Sequence, residues 1–316
     1  MATTRTAVII VNWNGADDTR RCLGSLAVAR SEWSDCVVVD NGSIDGSPEI
    51  LRHEFPWLRL IETGENLGYA GGNNRGIREA LRAGADWIFV LNNDAAVSPG
   101  TIGALRSVLE QAPGIGAAGS KICHGDGSGR LWYAGGQVDR RPFRPSLIVR
   151  PPNEAEPYAV DYLPGCALFT SRATLERVGD FDERFFLTWE DTDWSARVQR
   201  AGLRTVIVPT TTVEHAGSVS FQGVFSPLYS YYYFRNMLLF AQLHFPSQER
   251  QHAYRDTIAL AWEVLRDRRR TREPWRASAA TLLGISHFFL RRFGPAPQTL
   301  TRRVLQRRVG RGVYRP

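Results

Sequence analysis

Lysine is almost missing from this chain. Of its 39 basic residues only Lys121 is a lysine and the rest are arginines, which we read as codon bias first and chemistry second. Cysteine is scarce too. Cys22, Cys36, Cys123 and Cys166 form no CxxC pair, so neither a zinc site nor a disulfide framework is indicated, and a reducing cytoplasm fits. Long apolar runs are absent. No stretch reaches the roughly 18 uncharged apolar residues of a membrane span, and the first run, Ala7 to Val11, is too short for a signal peptide. A cytoplasmic protein is expected. Two phosphate-binding signatures are also lacking. No Gly-Lys-Ser/Thr follows a glycine loop, and the glycines at 68, 71 and 72 do not match GxGxxG.

What is present suffices for a large core. The chain has 316 residues, 43% of them apolar and 11% aromatic. Net charge is +7, unevenly placed. Residues 250–316 hold 16 arginines against Asp256, Glu263, Asp267 and Glu273, a local charge of +12, which leaves −5 on the rest. Such a tail meets an anionic partner or stays solvated.

The first half alternates short β-branched runs with helical stretches. Strands are predicted at 7–11, 36–40, 58–61 and 87–91, with helices at 17–29, 47–53 and 73–83 between them. Ser47 reads as an N-cap with Pro48 behind it. Strand, crossover helix, strand, repeated, predicts an α/β fold with a mostly parallel sheet and helices on both faces. Residues 125–160 read as loops or edge strands. Val206–Pro209 reads as a last strand leading to His215. A domain boundary is placed near 220, giving a 1–220 domain and a helical, arginine-rich region at 221–316. Helices are expected at 251–266 and 275–293. The second suits packing on the main domain or on a second copy of the chain better than a bilayer surface.

In parallel sheets ligands bind at the carboxyl ends of the strands. Those ends carry Asn12-Trp13-Asn14, Asp40-Asn41-Gly42-Ser43 and Asn92-Asn93-Asp94. Asp40 is either a turn residue or a carboxylate accepting from a nucleobase N–H or a ribose hydroxyl, and its strand-end position favours the second. The loop Asn66-Leu67-Gly68-Tyr69-Ala70-Gly71-Gly72-Asn73-Asn74 enters a helix, where free backbone N–H groups suit phosphate. Asp94 is a candidate oxygen ligand for a hard divalent cation. His215 is a second ligand or a structural histidine. Thr188-Trp189-Glu190-Asp191-Thr192-Asp193 sets three acids together. Glu190 and Asp193 share a helical face, which suits a site that accepts a proton from a hydroxyl or a solvated helix start.

The order of these motifs over residues 6–240 resembles the inverting glycosyltransferases of family 2 with the GT-A fold. The rhamnosyltransferase-like and galactofuranosyltransferase-like subgroup is the nearest. The resemblance implies a GT-A domain with a C-terminal helical extension, and a sugar moved from a nucleoside diphosphate to an acceptor hydroxyl. Asp191 is then the base, flanked on the acceptor side by Trp189, Glu190 and Asp193, with Gly165 and Cys166 facing sugar and acceptor. Asn12, Asn14, Asp40, Asn66, Gly68, Asn73, Asn92 and Asn93 bind the donor. Arg235, beside Asn236 and after three tyrosines, lies near the diphosphate. Asp94 and His215 hold Mg²⁺ or Mn²⁺, with Asn92 where many relatives carry Asp. The implied donor is a dTDP- or UDP-sugar and the acceptor a glycan or lipid-linked molecule. The basic tail suggests a peripheral contact with the inner face of the plasma membrane, or a homodimer, and nucleic acid is not implied. A GT-A nucleotidyltransferase and a non-catalytic sugar-binding protein are the competing readings.

Overall fold

The computed structural model describes residues 4–216, 226–267 and 273–301. The boundary expected near 220 lies outside the described residues, as do ten of the sixteen tail arginines.

The chain opens with β1 (Thr6–Asn12), α1 (Ala16–Val28), β2 (Asp35–Asp40), α2 (Ser47–Glu54), β3 (Arg59–Glu62), α3 (Gly68–Arg82) and β4 (Trp87–Asn92). Strands β3, β2, β1 and β4 pair in parallel in that order. Their inner residues, such as Ile9, Val38 and Phe89, have no exposure. A strand covered on both faces needs that unbroken apolar run. After β5 (Ala95–Val97) and α4 (Thr101–Gln111) come β6 (Ile115–His124), β7 (Leu131–Tyr133), β8 (Gly136–Arg140), β9 (Phe143–Leu147), β10 (Tyr158–Ala159) and β11 (Ala167–Ser171). Strand β11 runs antiparallel between β4 and β6. Beyond it β6 pairs in parallel with β12 (Arg204–His215). The sheet is therefore mixed, and β1, β2, β4, β6 and β12 all end on one edge.

Helices α5 (Arg172–Val178) and α6 (Glu190–Arg200) precede β12, and α7 (Pro227–His244), α8 (Ser247–Arg266) and α9 (Pro274–Phe289) follow it. Phe185 and Trp189 join Phe234, Leu238 and Phe240 of α7 in a second core, so the C-terminal helices pack on the segment that enters α6.

Three local readings change. Strand β12 runs on past Pro209 to His215. Proline cannot donate to the ladder, and the register with β6 breaks between Val208 and Thr212, then resumes. Gly46, at φ +81°, caps α2, and Ser47 is its first residue. Helix α3 starts at Gly68, so Gly71 and Gly72 are helical rather than loop. These glycines serve packing: a Cβ at Gly72 would lie 2.9 Å from Val11 Cγ1, and one at Gly76 2.5 Å from Ile9 Cγ2.

Candidate active site

A cavity of about 700 Å³ opens at the edge where β1, β2, β4, β6 and β12 end. Two pairings build its floor. Strand β5 turns back antiparallel to β12 with Ala95 opposite His215, which brings Asp94, one residue earlier, against the histidine. Asp94 Oδ1 and His215 Nε2 stand 3.0 Å apart. The imidazole also meets Asn92 Nδ2 at 3.1 Å and stacks on Trp132, centroid to centroid 5.3 Å. Strand β11 begins beside the end of β4: the Asn92 N–H donates to the Cys166 carbonyl at 3.0 Å. That places Gly165 and Cys166 on the wall facing α6.

The acids at the start of α6 separate into three roles. Asp191 reaches the cavity and accepts from the Gly165 N–H at 2.9 Å and from the Thr192 N–H at 2.7 Å. Burial pushes its pKa above the ordinary carboxylate range, and those N–H donors oppose the shift. Glu190, 5% exposed, also lines the cavity, but its Oε2 has no partner. Burial, with the Asp191 charge beside it, pushes it well above the usual range. The Gly165 and Thr192 N–H groups favour the ionised form of Asp191, whereas burial of Glu190 is opposed by its own backbone N–H, so Asp191 is the better placed of the two to carry the negative charge. Asp193 is a different matter. Expected on the acceptor side, it turns away from the cavity, bonding Arg197 at 2.9 Å and His244 at 2.7 Å in the second core.

Several residues assigned to the donor are not on the wall. Asp40 is 2% exposed and accepts from Asn12 Nδ2 (2.7 Å) and the Ser43 N–H (2.9 Å). Asn14 Oδ1 accepts from the Ile44 N–H. This network ties the ends of β1 and β2 together, and it is Trp13, Asn41 and Gly42 that reach the cavity. Asn73 is buried and bonds the Tyr69 carbonyl. Asn66, Gly68, Asn92 and Asn93 do line the cavity. The start of α3 is not an open phosphate cradle. The Tyr69 and Ala70 N–H groups both donate to the Phe186 carbonyl, at 2.7 and 3.3 Å.

Arg235 is the clearest correction. It was expected beside a diphosphate, yet it is 0% exposed and does not line the cavity. Its guanidinium bonds the carbonyls of Arg184, Phe185 and Gly294, the Asn236 amide oxygen and the Tyr231 hydroxyl. A guanidinium has five N–H donors, and all five are engaged. The segment it holds is strained: Phe186, Thr188 and Trp189 have φ of +63°, +67° and +71°. Each such residue costs on the order of 1–2 kcal/mol outside glycine.

Sequence reading missed the aromatic wall. Tyr69, Trp132, Tyr133, Tyr162, Tyr229 and Tyr233 all face the cavity. Tyr229 and Tyr233 are four apart on α7 and stack at 5.3 Å; the tyrosine run at 229–233 was the available signal. Pro295, Ala296 and Gln298, from the segment after α9, close the same side.

Residues 7–178 match the model of glycosyl transferase family 2. The chain belongs to that family. It is 33% identical over 229 residues to the N-acetylglucosaminyl-diphospho-decaprenol L-rhamnosyltransferase of Mycobacterium tuberculosis, covering 66% of this chain and 75% of that one. The dTDP-rhamnosyl transferase RfbF of Shigella flexneri is 28% identical over 218 residues, 66% of this chain and 72% of the relative. Among solved structures, S. aureus TarS in complex with UDP-GlcNAc superposes with a TM-score of 0.57 at 14% identity, over 95% of this chain and 83% of that one. A Pyrobaculum calidifontis mannosyltransferase in complex with GDP-Man and Mn²⁺ gives 0.53 at 16% identity, over 99% and 88%. These likenesses establish the GT-A fold. This family 2 glycosyltransferase therefore presents Asp191, Glu190, Asp94 and His215 to one cavity at the carboxyl edge of its sheet.

Proposed function

We propose that this glycosyltransferase inverts configuration in a single displacement, with rhamnose from a dTDP-linked donor as the leading sugar and uridine-linked sugars next. The observation that carries the reading is Asp191, fixed by two backbone N–H groups on the wall of the cavity that Asp94 and His215 also line. The acceptor hydroxyl gives its proton to the Asp191 carboxylate as its oxygen bonds to the anomeric carbon. The bond from that carbon to the diphosphate oxygen breaks on the opposite face, and the leaving diphosphate takes the electron pair. Asp191 Oδ2, which accepts from the Gly165 N–H, keeps a lone pair for the acceptor proton, whereas Oδ1 accepts from both the N–H and the hydroxyl of Thr192. Glu190, whose Oε2 has no protein partner, offers a hydrogen bond to a sugar hydroxyl.

Asp94 and His215 fit a divalent cation. One carboxylate oxygen and one imidazole nitrogen converge at 3.0 Å on the cavity wall. Among the described residues no three His, Cys, Asp or Glu side chains cluster, so a cation held by Asp94 and His215 would need further oxygen ligands from donor phosphate and water, as Mg²⁺ commonly does. Once bound, Mg²⁺ or Mn²⁺ offsets charge on the leaving diphosphate.

The donor is tested by a panel of nucleotide-sugars scored by thermal shift with Mn²⁺. A ligand at a hundred times its Kd stabilises by about 2.7 kcal/mol, which shifts Tm by several degrees. The expected result is the largest shift with dTDP-rhamnose; a larger one with another donor overturns that choice, and no shift with any donor counts against the reading as a whole.

The acceptor side favours a lipid-linked glycan. No helix among the described residues is long and apolar enough to cross a membrane. Yet Trp262 of α8 and Trp275, Leu282 and Phe289 of α9 are exposed large apolar residues. The last three recur every seventh residue, so they form one stripe. Aromatics beside arginines suit an anionic bilayer surface, and the segment that follows α9 reaches the cavity wall. Full-length protein is expected to float with phosphatidylglycerol vesicles, and the Trp262→Glu/Trp275→Glu variant to stay behind. If that variant floats equally, or changes only from dimer to monomer, the stripe is not a membrane contact.

A further inference from the structure

We infer that Arg235 and Asn236 of α7 form a positioning clamp that holds the catalytic carboxylate at its working angle. The inference rests on Asp191 as the base. Segment 184–189 leads directly into Glu190 and Asp191, and Trp189, its last residue, receives the Asp193 N–H at the first turn of α6. The segment belongs to no helix or strand, so it has no ladder to satisfy its backbone. All five carbonyls from 184 to 188 are nevertheless bonded. Arg235 takes those of Arg184 (3.1 Å) and Phe185 (2.9 Å). The two N–H groups of Asn236 Nδ2 are shared among Phe185 (2.8 Å), Leu187 (2.9 Å) and Thr188 (2.9 Å). The start of α3 takes Phe186.

The same pair reaches the other cavity walls. Arg235 also bonds the Gly294 carbonyl at 2.7 Å, and the neighbouring Tyr232 hydroxyl accepts from the Ala296 N–H at 2.6 Å. The guanidinium lies 4.9 Å from the Tyr232 ring and 5.3 Å from that of Tyr231. Its hydrogen-bond partners are carbonyls, an amide and a phenol, never a carboxylate, and burial lowers its pKa. A fully buried cation and three positive-φ residues with large side chains are both unfavourable for folding alone. Strain of this kind persists where surrounding structure over-determines it, and it clusters at active sites. Here it sets the direction in which Asp191 leaves the backbone.

The test is a double-mutant cycle on the full-length enzyme, with Asn236→Ala, Asp191→Asn and the pair. Turnover, KM and Tm are read, together with calorimetric binding of the nucleoside diphosphate. Misplacing a catalytic group by about 1 Å costs on the order of 10²-fold. Asn236→Ala is therefore expected to lose about that much kcat, with nucleoside diphosphate affinity within about threefold. In the Asp191→Asn background the same change is expected to cost almost nothing, because residues acting as a unit are not additive. Additive losses, or a kcat per folded molecule near wild type, overturn the clamp. A fully active Asp191→Asn overturns instead the identity of the base. If Asn236→Ala does not fold, Arg235→Lys carries the cycle. It keeps the charge but offers three donors in place of five, and it should retain more turnover than Arg235→Met.

Discussion

Asp94→Ala is expected to remove the part of donor binding that depends on Mn²⁺ and to leave the rest. The carboxylate stands 3.0 Å from His215 Nε2, and the neighbouring strand end supplies an amide, Asn92, where a second acid would add charge. With so few protein ligands, loss of one should cost at least the 10–100-fold that outer-shell changes cost in metal sites. Calorimetry of the nucleoside diphosphate with Mn²⁺ and with chelator separates the two contributions. Wild type should bind about 10–100-fold tighter with metal, and Asp94→Ala equally in both. His215→Ala should shift the same way while also losing the stack on Trp132. An Asp94→Ala protein whose binding falls equally with and without Mn²⁺ would show that Asp94 does not hold the cation.

The strands of the first half were legible because each is a β-branched apolar run bounded by turns, and burial on both faces demands that pattern. Strand ends follow from strands, so the clusters at Asn12, Asp40 and Asn92 fell on one edge as expected. Composition does not say which way a strand-end side chain points. Asp40 turned inward because Asn12 and Ser43 offered it donors. Asn41, next to it, lines the cavity although its amide donates to the Gly68 carbonyl and accepts from the Leu67 N–H.

The glycine run at 68–76 was misread for a related reason. Glycine marks close backbone approach as readily as a phosphate loop, and here the approach is to Val11, Ile9 and the Phe186 carbonyl. Whether Arg235 meets a phosphate or a carbonyl depends on what lies across from α7. Its partners are some 50 residues upstream in sequence, beyond the reach of local pattern. Asp193 illustrates the same limit: its partner His244 lies on another helix.

The separation of Glu190 from Asp191 gives the most direct test of the account. General base assistance is typically worth 10²–10⁴-fold. Asp191→Asn keeps the size of the side chain but cannot take a proton, and its NH2 replaces one of the two acceptor oxygens. It should cut kcat by about that factor or more while nucleoside diphosphate binding stays within about threefold. Glu190→Gln should do far less, because Glu190 lacks the Gly165 and Thr192 N–H bonds that hold Asp191 in its ionised form. The base must be ionised to act, and its folded pKa is raised. Activity is therefore present at neutral pH and lost on acidification at a pH above the ordinary carboxylate range. The decisive measurement is single-turnover transfer from a saturating nucleotide-sugar in wild type, Asp191→Asn and Glu190→Gln. The account predicts a loss of about 10²-fold or more for Asp191→Asn alone. Near wild-type transfer by Asp191→Asn, or an equal loss in Glu190→Gln, would contradict it.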